Sequence, residues 1–335
     1  MITAFLFFSK LIEASLRKMD WLKLYVSRVL RIMPLFLLAM FFLFLLVAIE
    51  SGFTLKESLP NLIWHTGQWI LFMEPDVNVL KGTKYLIVGV QWSLAFEWLF
   101  YCSLAVIGSL FFRIKTSITT ILLTSLGLVV FVLIIHEYYP ILAWEKMSPF
   151  LGGIAAAFPT RNQRVGNFVA NPWLTPALAA LLYLSLLNYS TVFSPVPYLC
   201  ICLIFIAIAC GNDFFGILTL KASRLLGQIS YSIYLLRGLL LYTTFQFIIH
   251  GATAEKLSPL SYWCVISGCC AVLILITCQT YYFIERPLLN RTDIVTKQVR
   301  DFIAKRMQPS ALATKEAAVI ANSVLHHTAE QEAAK

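Results

Sequence analysis

Apolar runs recur along nearly the whole chain, separated by short segments rich in basic residues, Gly or Pro. A helix crossing a ~30 Å hydrocarbon core needs about 20 such residues. Runs at 32–49, 86–112, 117–135, 148–159, 173–190, 196–210, 225–249 and 261–284 predict eight crossings, of which 148–159 is short. Pro34 falls in the first turn predicted for 32–49, where a missing N–H does no harm. The stretch 59–73 is apolar and aromatic but is interrupted by His65, Gly67 and Gln68, and it reads as a re-entrant or interfacial segment. Residues 2–9 are apolar but too short to cross, and they lack the basic start and small-residue cleavage site of a signal peptide. They read as part of a helix whose natural chain begins further upstream. The pattern predicts an all-α, polytopic transmembrane helical bundle: eight full spans, a partial N-terminal helix and one re-entrant or interfacial segment.

Charge orients the bundle. Segments 10–31, 113–116, 160–171, 211–224 and 285–335 hold 20 of the 26 Lys and Arg, the alternate segments hold five, and Arg237 lies within a run. Basic residues collect on the cytoplasmic side, so the carboxy terminus is expected there. The net charge of +9 is therefore topological and does not point to nucleic acid. With 59% hydrophobic and 13% charged residues, no separate soluble domain is expected. The division is 1–290 as membrane domain and 291–335 as cytoplasmic tail, solvated and partly helical beyond Lys305. All eight cysteines fall inside runs, without CxxC or histidine at ligand spacing, so no metal is expected.

Within 86–112, QWSLAFEWLFY (Gln91–Tyr101) places Glu97 eleven residues from the start of the run, roughly 16 Å deep. A carboxylate at that depth is costly unless partnered, and it marks a functional path. Ser93, Glu97 and Tyr101 share one helical face. In LLGQISYSIYLLRG (Leu225–Gly238), Ser230, Tyr234 and Arg237 share another, with Arg237 at nearly the depth of Glu97. YYFIERP (281–287) closes the last run, where Glu285 and Arg286 are expected to cap the helix end.

SRVLRIMPLF (Ser27–Phe36), QWSLAFEWLFY and LLGQISYSIYLLRG, taken in order with ERP at 285–287, resemble the acyltransferase 3 family of integral membrane acyltransferases over about residues 1–290. The resemblance implies a ten-helix core that moves an acyl group, often acetyl, from cytoplasmic acyl-CoA to a hydroxyl of a cell-envelope saccharide, in a multi-pass protein of the bacterial inner membrane. It aligns Arg28 and Arg31 with the family's RxxR pair and Glu97 with the motif carboxylate. The chain departs from the pattern twice. The family's first helix, with the histidine usually given the catalytic role, is not in this sequence, and Arg237 stands where a histidine commonly follows SYSIYL.

Acyl transfer from a thioester needs a base for the hydroxyl proton and a group that stabilises the oxyanion. Histidines 65, 136, 250, 326 and 327 lie near the outer boundary or in the tail. Glu97, with Ser93 and Arg237, is the expected catalytic set; Glu97 either orients a histidine from a preceding helix or acts as base. The plain structural alternative is a Glu97–Arg237 pair that neutralises both charges. Arg28 and Arg31 are expected to bind the phosphates of the donor. Trp92, Tyr101, Tyr231 and Tyr234, with Ser230, are expected to line the acceptor path. No permanently bound cofactor is expected; the expected partners are the lipid bilayer, acyl-CoA and a saccharide or other hydroxyl acceptor. A transporter of an envelope intermediate and a non-catalytic homologue are the competing readings.

Overall fold

The computed structural model describes residues 1–14, 19–112, 114, 116–138, 143–169, 171–191, 194–249 and 256–307. Most of the tail, with His326 and His327, lies outside them, as do His250 and the basic residues Arg17, Lys18, Arg113 and Lys115. The described chain is helical with no strands. In order it contains α1 (Ile2–Ala14), α2 (Trp21–Glu50), α3 (Leu59–Ile70), α4 (Gln91–Phe111), α5 (Ile118–Tyr138), α6 (Ala143–Ala156), α7 (Gln163–Val169), α8 (Leu174–Asn188), α9 (Pro195–Ala209), α10 (Lys221–Thr243), α11 (Pro259–Thr280), α12 (Arg286–Asn290) and α13 (Thr292–Met307).

By length and composition, four helices can cross a membrane: Trp21–Glu50, Gln91–Phe111, Ile118–Tyr138 and Pro259–Asn290. The bent pair α7 and α8 makes a fifth if counted as one. α6, α8 and α9 are shorter, and α10 carries Lys221, Arg224 and Arg237. α5 and α11 show large apolar side chains on their outer faces, among them Leu122 and Leu275, each 65% exposed. Apolar surface that continuous fits lipid rather than water.

Of the boundaries that differ from those read in the sequence, three bear on the site. α1 runs past Ser9 to Ala14, because Ala4, Phe7, Phe8 and Leu11 form one buried stripe that continues into the basic segment. α2 begins at Trp21, where the Asp20 carboxylate accepts the Lys23 N–H at 3.1 Å. Segment 10–31 is therefore mostly helix, and Pro34 sits mid-helix instead of in a first turn. Basic residues marked an interface, but they did not end the helix. α4 begins at Gln91 and not at Leu86, since Gly82, Val88 and Gly89 all take positive φ and break the apolar run. Glu97 is thus six residues into its helix, about 9 Å from the start by helical rise.

The chain between α3 and α4 is a folded loop whose one regular piece is a short 3-10 helix, Thr83–Ile87. Trp69 is fully buried and donates to the Pro75 carbonyl (2.9 Å); Asp76 accepts the N–H groups of Gly82 and Thr83 (2.8 and 3.2 Å). This loop fixes the start of α4. α1 then packs on α4 and α6, α2 on α10 and α13, α4 on α5, and α10 on α11. The core fills the space where α1, α2, α4 and α10 meet, with Phe7, Leu35, Phe36, Phe96 and Leu235 at its centre.

Candidate active site

Four of these helices, α1, α2, α4 and α10, together with α9, enclose a cavity of about 590 Å³. α4 contributes Ser93, Glu97 and Tyr101; α2 contributes Arg28 and Arg31; α10 contributes Ser230, Tyr231 and Tyr234. Sequence motifs as far apart as those of Arg28 and Tyr234 therefore line one cavity. The i, i+4, i+8 spacing of Ser93, Glu97 and Tyr101 brings all three to the cavity, as a helix repeat requires.

Glu97 is half-buried and accepts two hydrogen bonds: Thr3 Oγ1 donates to Oε1 (3.1 Å) and the Tyr101 hydroxyl donates to Oε2 (3.3 Å). An ionised carboxylate has about four lone-pair sites, so two donors leave it capacity to accept a proton from a bound group. Arg28 and Arg31 act on it electrostatically without joining it in an ion pair. The site thus holds one carboxylate and two guanidinium groups around an open space that Tyr101, Tyr231 and Tyr234 also line. The Tyr231 hydroxyl donates to the Ile32 carbonyl at 2.9 Å, and that of Tyr25 donates to the Tyr101 carbonyl at 3.0 Å. These bonds tie α2 to α10 and to α4 at the level of the cavity.

Two of the residues expected at the site stand apart from it. Trp92 is not among the residues that line the cavity; the Lys146 ammonium lies 4.2 Å from its ring centroid. Arg237 lies over the Tyr234 ring at 4.9 Å, and no ion pair among the described residues joins it to Glu97. The pairing alternative for Glu97 is therefore not what the fold builds. α10 brings Gly238 against the Ile87 backbone, which sets Arg237 level with the chain just before α4 and not with Glu97. Ser93 lines the cavity, but its hydroxyl donates to the carbonyl of Val90 (3.0 Å), the residue just before α4.

Of the histidines, His65 pairs with Glu57 (3.0 Å) and His136 sits in the last turn of α5; among the described residues none lines the cavity. Glu285 does not cap its helix end as expected: it is 2% exposed, in the π-helical turn Tyr281–Glu285 that follows α11, and it accepts the Ser232 hydroxyl of α10. Thr3 was missed in the sequence. Its only signal was a hydroxyl in an apolar stretch too short to be read as a span. Among the described residues no cluster of His, Cys, Asp or Glu is arranged to hold a metal.

A family model described as an acyltransferase domain, that of the acyltransferase 3 group, matches residues 1–278, well over half of the chain. The chain belongs to the acyltransferase 3 family. No curated protein and no solved structure matches it. Membership gives acyltransferase chemistry as the family activity, and the matched region contains all the cavity residues named above. For an acyltransferase 3 protein, the grouping of Arg28, Arg31 and Glu97 in one space is the feature that bears on mechanism.

Proposed function

We propose that this acyltransferase 3 protein crosses the bacterial inner membrane eight times with its carboxy terminus in the cytoplasm. It moves an acyl group, acetyl being the expected one, from acyl-CoA to a hydroxyl of an envelope saccharide. The observation that carries this reading is the cavity in which Glu97 faces Arg28 and Arg31. The Trp21 end of α2 is cytoplasmic in this topology, so Arg28 and Arg31 meet the donor first. Guanidinium forks match phosphate oxygens in geometry and charge.

In the transfer step the acceptor oxygen attacks the thioester carbonyl while Glu97 takes the hydroxyl proton. The new C–O bond forms, the C–S bond breaks, and the departing thiolate recovers that proton from Glu97. Thr3 and Tyr101 hold the carboxylate in place for both transfers. An arginine within the cavity stabilises the negative charge that develops on the carbonyl oxygen. Tyr231 and Tyr234 present aromatic surface to the acceptor, as sugar rings favour.

The test uses the purified chain in lipid nanodiscs, supplied with acetyl-CoA and an envelope saccharide, with acetylated product read by mass spectrometry. Arg28→Ala and Arg31→Ala should each raise the apparent KM for the donor about ten-fold or more, which is the loss of about 1.4 kcal/mol of binding. Unchanged donor KM in both variants would return these arginines to a purely topological role. Movement of the saccharide across the bilayer without covalent change would replace the enzyme reading with transport.

A further inference from the structure

We propose that a second cavity, at the Trp21 end of α2, holds the phosphorylated nucleotide end of the donor, and that α13 is clasped across its rim. This rests on the donor reading above and extends it to residues outside the family motifs. The second cavity has a volume of about 510 Å³ and is lined by Lys10, Lys23 and Arg28 among others. That is within the ~300–1,000 Å³ range of small-molecule pockets. Phe7 and Arg28 line both cavities, so the two adjoin. Seven residues of α1 separate Thr3, beside Glu97, from Lys10, a helical rise of about 10.5 Å. An extended donor can therefore rest its nucleotide in one space and present its thioester in the other.

The charges suit a polyanion. The Lys10 ammonium and the Arg28 guanidinium both lie over the Phe7 ring, at 5.5 and 4.9 Å. Arg28 Nε is buried without a hydrogen-bond partner, a donor left over at the junction of the two cavities. The acids on the wall are already engaged: Glu13 with Arg161 at 3.7 Å, and Asp20 with Arg300 at 2.7 Å and the Lys23 N–H at 3.1 Å. Burial works against ionisation of Asp20, yet the Lys23 N–H and Arg300 hold its carboxyl below its ordinary value. Asp20 therefore stays charged and committed to α13 at neutral pH.

Lys23 is the exchangeable member. Its ammonium meets Asp293 of α13 at 2.5 Å in a pair exposed to 51% and 76%. An ion pair that open is weak, and a phosphate dianion can take the place of the single carboxylate. Leu289 and Thr292 complete the wall, so the junction of α12 with α13 borders the opening. Donor entry would exchange Asp293 for phosphate on Lys23 while Asp20–Arg300 keeps the helix attached.

The experiment titrates the full chain in nanodiscs with adenosine 3′,5′-bisphosphate, a nucleotide with no acyl group or thiol, by calorimetry. The wild type should bind it, and a Lys10→Ala, Lys23→Ala double variant should bind at least ten-fold more weakly. Asp293→Asn, which removes the competing acid, should bind a few-fold more tightly, a gain that misfolding cannot imitate. Lys84→Ala, in the 3-10 helix Thr83–Ile87 that precedes α4, should bind as the wild type does. No binding by the wild type, or equal binding by the double variant and the wild type, overturns the proposal. Acyl transfer from acyl-CoA, measured alongside, keeps the two readings apart: transfer that ignores Lys10 and Lys23 sinks the second cavity and leaves the donor reading standing. Nucleotide binding without transfer does the reverse.

Discussion

A charged side chain at the centre of a bilayer helix costs about 2.5–3.5 kcal/mol on insertion scales, so its partners report why it is there. Glu97 has neutral donors, Thr3 and Tyr101, and an open cavity beside it. Glu285 is the contrasting case. It is sealed from solvent, and the fully buried Ser232 hydroxyl donates to it. One carboxylate faces space and the other is spent on packing. Ser232→Ala should therefore lower stability by about 1–2 kcal/mol, seen as a fall in melting temperature in detergent, with little change in donor KM. An unchanged melting temperature would mean that Glu285 is held by something other than Ser232. The carboxylate of the motif was legible in the sequence because it interrupts an apolar run. Thr3 and Ser232 were not, because a hydroxyl in a membrane helix is common and its partner is set only by packing.

At the scale of elements, the apolar runs located the helices but misplaced their ends. Positive charge extended the predicted loop through Arg31, whereas the buried stripe Trp21, Leu24, Ile32 and Leu35 shows that the helix continues through it. Hydropathy averages over both faces of a helix, while burial follows only one. The reverse error occurred before α4, where Leu86, Ile87 and Val90 are apolar and buried but lie in or just after a short 3-10 helix, outside α4. The approach of α10 to that loop can be tested directly. A Cβ on Gly238 would lie 2.5 Å from the Ile87 carbonyl carbon, a backbone atom that cannot rotate away. Gly238→Ala should destabilise the fold by about 1–3 kcal/mol and reduce transfer, since Tyr231 and Tyr234 ride on the same helix. Gly227→Ala, in α10 with nothing within 4 Å, should be neutral or stabilising by up to about 1 kcal/mol. Equal melting temperatures for the two variants would contradict the close contact.

For the whole molecule, the order of motifs along the chain carried more information than any motif's depth. Depth along an apolar run put Glu97 and Arg237 side by side; the fold separates them by fixing α10 against the loop before α4. Family resemblance placed Arg28, Arg31 and Glu97 in one functional set, and the bundle does bring them around one cavity. Lys10, Lys23 and α13 were invisible as a unit, because the residues that join them, Asp20, Asp293 and Arg300, are 280 positions apart in the extreme case. The most direct measurement is acetyl transfer by the purified chain and by its Glu97→Gln variant, at saturating acetyl-CoA and acceptor in nanodiscs. Glutamine keeps the shape and one accepting oxygen, its NH2 donating where the second oxygen accepted a hydroxyl, but it cannot take a proton. The account predicts kcat lower by about 10²–10⁴-fold with donor KM nearly unchanged. Transfer by the variant at the wild-type rate would contradict it.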